Sequence, residues 1–156
     1  MKIKLLSQNA KVPVRGSEQS AGYDLYVPND TIINPGRNIV KTDISISLEV
    51  GYEAQIRPRS GFSAKGFEGH KIADDGIETA PRRFDADVLL GTIDSDFRGN
   101  IGVIVKSYET KPFMVAAGTR IAQMVIGNHW GGNLNVVDEL DNTERGDGGF
   151  NSTGTH

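Results

Sequence analysis

The feature that most constrains this chain is a recurring period of two. In "IVKTDISISLEV", Ile44, Ile46 and Leu48 alternate with Ser45, Ser47 and Glu49. An extended strand sends successive side chains to opposite faces, so this stretch reads as a half-buried strand. "NIGVIVKSYE", "RIAQMVIGNHW", "KIKLL" and "LNVVDEL" read as further short strands. Turn-forming material separates them: "VPND", "NPGR", "EVGY", "AAGT" and "GGN". No amphipathic pattern sustains three helical turns. One short helix is expected at "SGFSAKG", with Ser60 as its cap. Many short strands joined by turns predict an all-β domain, a barrel or a jelly roll. At 156 residues the chain suits one domain. Residues 67–90 read as a long polar excursion between strands. The last twelve residues are glycine-rich and are expected to be mobile when alone.

Charge narrows the function. With 17 basic and 20 acidic residues the formal net charge is −3, which argues against non-specific nucleic-acid binding. It leaves room for a small anionic ligand held by a few arginines. There are no cysteines, so disulfides and thiolate metal sites are excluded. No apolar run reaches the roughly 18–20 residues that span a bilayer, so no membrane association is expected. "MKIKLLSQNAKV" turns polar too soon for a signal peptide, which makes a cytoplasmic location the default expectation. His70, His129 and His156 are scattered without metal-ligand spacing and are expected at the surface. Trp130 and Tyr108 are expected in the core or at subunit contacts.

Five stretches break the strand-and-turn pattern: "AGYDL" (21–25), "RPRSGFSAKG" (57–66), "GTIDSDFRGNIGV" (91–103), "GTRIAQMVIG" (118–127) and "RGDGGFNSTGTH" (145–156). In the second, Ser60 and Gly61 open a short helix beside Arg59. Free backbone N–H groups next to a guanidinium suit a phosphate, although a capped surface turn has the same composition. In the third, Asp94 and Asp96 flank Ser95, with Phe97 next. Two acids at i and i+2 can serve a divalent metal or general-base chemistry, or can simply form a tight turn. Gln123 interrupts an apolar strand, where a glutamine often marks an edge position facing water. Buried, it must be hydrogen-bonded and could orient a ligand or a water. In the tail, Arg145 precedes glycines that let backbone approach a ligand closely. Phe150 offers a flat face, and Ser152 and Thr153 offer hydroxyls.

In this order the five stretches closely resemble the five motifs of the trimeric dUTP pyrophosphatases (dUTPases), across residues 21–154. The resemblance implies a jelly-roll β-barrel assembled as a homotrimer with active sites shared between chains. It also implies hydrolysis of dUTP to dUMP and pyrophosphate, with Mg2+ on the triphosphate. By the same resemblance, Asp94 activates the attacking water, and Gln123 helps hold that water and the α-phosphate. Arg59, Ser60 and Gly61 bind phosphates, and Asp24 supports the metal through water. Phe97 packs on the deoxyribose, Arg145 holds the outer phosphates and Phe150 stacks on uracil. Ser152 and Thr153 close over the γ-phosphate. Residues 1–144 would then form the catalytic barrel and 145–156 a mobile lid.

The chain departs from the family pattern in four places. Phe97 stands where tyrosine is usual, and Asn151 follows Phe150 where glycine is usual. Gly61 and Gly91 are 30 positions apart, about twice the expected spacing, so 67–90 reads as an insertion of the kind seen in viral and phage members. An asparagine often found before the third motif is absent, with Asp87 and Val88 in its place. The dCTP deaminases of the same fold carry a strand glutamate where this chain has Ile104. Two alternatives follow: a relaxed dUTP/dCTP pyrophosphatase, and a nucleotide-gated regulatory binder that uses 67–90 to capture a protein partner.

Overall fold

The structure, a computed structural model, describes residues 1–74 and 76–148. The first strands are β1 (Lys2–Leu5), β2 (Val14–Arg15), β3 (Gly22–Tyr26), β4 (Thr31–Ile33) and β5 (Gly36–Lys41). Next come β6 (Ile44–Ser47), β7 (Tyr52–Arg57), the helix α1 (Ser60–Lys65), β8 (Phe67–Ala73) and β9 (Gly76–Ile77). The last are β10 (Arg82–Phe84), β11 (Ala86–Val88), β12 (Gly91–Ile93), β13 (Gly102–Ser107), β14 (Phe113–Val115) and β15 (Arg120–Asn128). The architecture is of the jelly-roll type, nearly all β with one short helix among the described residues. Among the described residues, no helix is long and apolar enough to cross a membrane.

The strands form four small antiparallel sheets. β1 pairs with β6, and β13 lies between β11 and β5. β10, β8, β14 and β4 are neighbours in that order, with β9 on β8. The sheet that matters most here runs β12-β7-β15-β3-β2, with β15 at its centre. Inward residues of all the sheets meet in one core, where Leu25, Ile33, Ile44, Ile56, Phe67, Ile101, Phe113 and Met124 are essentially sealed from solvent. The alternation seen in the sequence is the alternation of the structure. Ile44, Ile46 and Leu48 are buried, while Ser47 and Glu49 face outward. Ser45 is the exception, buried because its hydroxyl donates to the Arg98 carbonyl at 2.7 Å. Gly36 and Gly118 take φ of 88° and 81°, which the "NPGR" and "AAGT" turns require and a side chain would resist.

Several expectations need correction. Residues 67–90 are not a polar excursion but carry β8 to β11. Phe67 and Gly69 are buried on β8, and Phe84 stacks on Phe113 with ring centroids 4.3 Å apart. Ala86 and Val88 are buried as well. A period of two was present, at 67/69 and 84/86/88, but the charged residues between masked it. "LNVVDEL" forms no strand, and no sheet edge among the described residues pairs with it. Instead Leu134, Val136 and Leu140 are 88%, 100% and 83% exposed. Tyr108 and Trp130 are also exposed and are not core residues of this chain. Ser60 does not cap α1. The N-cap residue is Arg59, no side chain caps the helix, and Ser60 is its first residue. His129 is exposed, His70 is half-buried with Nδ1 3.0 Å from the Glu78 carbonyl, and His156 lies outside the described residues.

Candidate active site

The centre of the large sheet builds the first half of the site. β15 lies between β3 and β7, and its register sets Gln123 opposite Asp24 on one side and opposite Arg57 on the other. Directly paired residues share a face, so Gln123 and Asp24 look the same way. The Gln123 amide donates through Nε2 to the Pro58 carbonyl at 2.9 Å. That bond leaves Oε1 free to face a ligand or a water. The question left open by the sequence is therefore settled: Gln123 is a half-buried, hydrogen-bonded strand residue, not an edge glutamine.

Asp24 is buried, and both of its oxygens are engaged. Oδ1 is 3.0 Å from Arg59 Nε, and Oδ2 is 3.3 Å from Arg120 Nη1. Arg59 Nη1 also donates to the Arg120 carbonyl at 3.3 Å. These residues, with Gly22, Ser60, Gly61, Gly16 and Ser20, line a cavity of about 240 Å³. Two guanidinium groups against one carboxylate leave it a net charge of +1. An arginine fork held by a buried carboxylate is a pre-set partner for phosphate oxygens.

Arg120 and Gly22 are the residues that sequence reasoning passed over. Arg120 stands three positions before Gln123, which in a regular strand would send the two to opposite faces. A register shift between Arg120 and Ala122 absorbs one position and brings both to the same cavity. Gly22 has a different reason. A side-chain carbon there would overlap the Gln123 carboxamide oxygen, so the glycine makes room for that group.

The third stretch forms a separate, pinned loop. Phe97 N–H donates to the Asp94 carbonyl at 3.1 Å, closing a turn. Arg98 Nη1 donates to the Ser95 and Phe97 carbonyls at 2.7 and 2.9 Å. Asn100 and Asp43 exchange hydrogen bonds of 2.8 and 3.0 Å, with Asp43 at φ 55°. The loop is thus tied to the β5–β6 turn, while Asp94 is exposed and Phe97 is 41% exposed, its ring over Gly99. The turn reading of "DSD" is right, and the turn is what displays the acid. Among the described residues, no group of three or more Asp, Glu, His or Cys side chains could hold a metal ion.

The structure keeps this loop away from the cavity within one chain. Ile93 faces Ala54 on β7, whereas Gln123 faces Arg57 from the other edge of β7. Asp94 and Gln123 are therefore separated by about 13 Å along the sheet and about 10 Å across it, roughly 16 Å in all. Arg145 is not among the residues lining the cavity, and its Nε donates to the Gly148 carbonyl at 2.9 Å. Phe150, Ser152 and Thr153 lie outside the described residues.

The family model described as dUTPase matches residues 8–77 and 83–154. A deoxyuridine 5'-triphosphate nucleotidohydrolase of Nautilia profundicola is 41% identical over 155 residues, covering 99% of this chain and 98% of that protein. The mitochondrial enzyme of the same name from Homo sapiens is 41% identical over 150 residues, or 96% of this chain, which spans about half (52%) of its length. Among solved structures, the Staphylococcus bacteriophage 80alpha dUTPase with dUPNHPP superposes with a TM-score of 0.79 at 27% identity, covering 98% of this chain and 97% of that one.

Proposed function

Because the chain belongs to the dUTPase family, we propose that it hydrolyses dUTP to dUMP and pyrophosphate. The observation that carries this reading is the convergence of Asp24, Arg59, Ser60, Gly61 and Gln123 on one cavity. Three separate sequence motifs supply them. A triphosphate needs several fixed cationic and N–H donors where charge accumulates, and this cavity presents them in advance.

In this reading Gln123 Oε1, held by the Pro58 bond, orients the attacking water beside the α-phosphate. An exposed carboxylate, Asp94, takes the proton from that water as its oxygen bonds to the α-phosphorus. The bond from that phosphorus to the bridging oxygen breaks, and pyrophosphate leaves with the electron pair. Arg59, Ser60 and Gly61 hold the phosphate oxygens, and Arg120 holds Asp24. Phe97 packs on the deoxyribose. Arg145 and Phe150 engage the outer phosphates and the base, and Ser152 and Thr153 close over the γ-phosphate, with 145–156 as the closing segment and 1–144 as the catalytic barrel.

In this reading the separation of Asp94 from Gln123 is bridged by a second chain. A homotrimer in which one chain lends the Asp94 loop to the cavity of another satisfies it. The exposed Leu134, Val136 and Leu140, together with Tyr108 and Trp130, are apolar surface suited to subunit contacts. Mg2+ fits as an ion carried by the triphosphate rather than a resident one. Both Asp24 oxygens are already taken by arginines, so Asp24 suits an outer position, one water away from the ion. Bound there, the ion would neutralise phosphate charge.

Pyrophosphate release from dUTP, dCTP, dTTP and UTP, with and without Mg2+, tests the proposal. Mg2+-dependent release from dUTP alone supports it. Equal release from dCTP would favour the relaxed pyrophosphatase, and no release from dUTP would overturn the reading.

A further inference from the structure

A second cleft adjoins the phosphate cavity on the other side of Arg59. It has a volume of about 400 Å³ and shares Arg59, Gly61 and Arg120 with the first. Its remaining charged residues are Lys65, from the last turn of α1, and Glu68 and Arg83, from β8 and β10. Arg83 belongs to the 67–90 segment, which lies outside the five motifs. Its Nη2 is 3.1 Å from Glu68 Oε2 and its Nη1 donates to the Gly66 carbonyl at 3.2 Å, so the guanidinium is held at the cleft without being buried. Four cations, Arg59, Lys65, Arg83 and Arg120, face one lining acid, Glu68, with the buried Asp24 behind. The balance is a local +2 on a chain whose net charge is −3. Such concentrated positive charge, open to solvent and adjoining the cavity proposed for phosphate, suits a polyanion.

We propose that this cleft is a distal phosphate subsite. In it Arg83 and Lys65 take the terminal phosphates of the bound triphosphate, and then hold the pyrophosphate that leaves. Occupancy trades partners at Arg83: a phosphate oxygen replaces the Glu68 carboxylate, so Glu68 competes with the ligand for the same guanidinium. Arg83 is then a substrate-positioning residue supplied by the additional strands, and 67–90 serves the site. The inference rests on the triphosphate reading above.

Binding of inorganic pyrophosphate and of dUMP to the full chain, measured by calorimetry, tests it. Arg83→Ala should weaken pyrophosphate about tenfold, the loss of one charge-assisted hydrogen-bonded partner, and leave dUMP unchanged. Glu68→Gln should do the opposite and tighten pyrophosphate several-fold, an outcome that a merely structural role for the pair would not produce. Unchanged pyrophosphate binding in Arg83→Ala, or equal loss of both ligands, would overturn the proposal. If Arg83→Ala fails to fold, Glu68→Gln still decides, since unchanged or weaker pyrophosphate binding there refutes it. Wild-type protein that releases nothing from dUTP, yet binds pyrophosphate in an Arg83-dependent way, would sink the triphosphate reading and leave the subsite standing.

Discussion

Mixing two inactive variants measures whether the catalytic groups come from separate chains. Asp94→Asn removes the proton acceptor, and Gln123→Glu removes the Nε2 donor and sets a negative charge against phosphate. Each alone should lose most activity. The sheet register puts Ile93 opposite Ala54 and Gln123 opposite Arg57, which keeps the two groups about 16 Å apart in one chain. On the proposed reading, the water in contact with both lies between chains. When the variants are refolded together at equal amounts, a site is intact if its Asp94 comes from the Gln123→Glu chain and its Gln123 from the Asp94→Asn chain. Each condition holds with probability one half, so about one quarter of the wild-type sites return in a symmetric ring. A second mixture sharpens the figure. Chains carrying both changes, mixed equally with wild type, should give about one quarter of full activity if the groups come from separate chains, and about one half if they come from one. Pyrophosphate release reads both mixtures, with native mass measurement confirming that mixed oligomers formed. Activity no greater than the residual rate of the variants in the first mixture, with one half in the second, would refute the shared site.

Three further outcomes follow from the geometry. Gly22→Ala places a methyl against the Gln123 carboxamide oxygen, so kcat should fall by about a hundredfold for a displacement near 1 Å while the melting temperature changes little. Asp24→Asn leaves Arg59 and Arg120 without their shared carboxylate. It should cost roughly 2 kcal/mol in thermal or urea unfolding and raise KM for dUTP, whereas an unchanged KM would show that the arginines are oriented by something else. Glu78 is held below its ordinary carboxyl value of 4.5, chiefly by the Lys71 hydrogen bond and further by the charges of Arg82 and Lys71, against the opposing effect of desolvation. A depressed carboxyl pKa adds stability that is fully present above the unfolded value and is lost as pH falls below it through the folded one. Wild type and Glu78→Gln should therefore differ in Tm at pH 7 and converge in acid well below pH 4.5.

The strands that carry Ile44, Ile46, Val103 and Val105 were legible because a single buried face imposes a period of two that nothing else produces. β8 and β10 were not, because Phe67 and Phe84 are spaced among charged residues that face solvent, and composition over a window averages the two faces together. "LNVVDEL" was misread for the opposite reason. Its alternation suits a strand, but a strand also needs a partner edge, and pairing is not a local property. In the site, Asp24, Arg59, Ser60, Gly61 and Gln123 were all chosen from sequence, and the sheet brings them together. Arg120 escaped because its role depends on a bulge. Its spacing to Gln123 points the wrong way until one residue drops out of register. The remoteness of Asp94 could not be read from the chain either, since it follows from which edge of β7 each neighbouring strand occupies.

The two aspartates divide the work in a way their surroundings explain. Asp24 is buried, with a cation on each oxygen, so its negative charge is spent on fixing two guanidinium groups before any ligand arrives. Burying that charge costs desolvation, and two close ion pairs offset it while settling where Arg59 and Arg120 point. Asp94 makes none of the ion pairs among the described residues and stands exposed on a loop pinned by Arg98, Asn100 and Ser45. A proton acceptor must keep its lone pairs open, and a rigid mount with no ion-pair partner among the described residues suits the role proposed for this acid. Were the two exchanged, the acid at position 24 would have both oxygens taken by guanidinium groups and the one at position 94 would have no arginine to orient. In the proposed mechanism the fold thus sets phosphate binding at the centre of one sheet and proton transfer at its margin. On the proposed reading, a triphosphate held by the first is hydrolysed when the margin of another chain is brought against it.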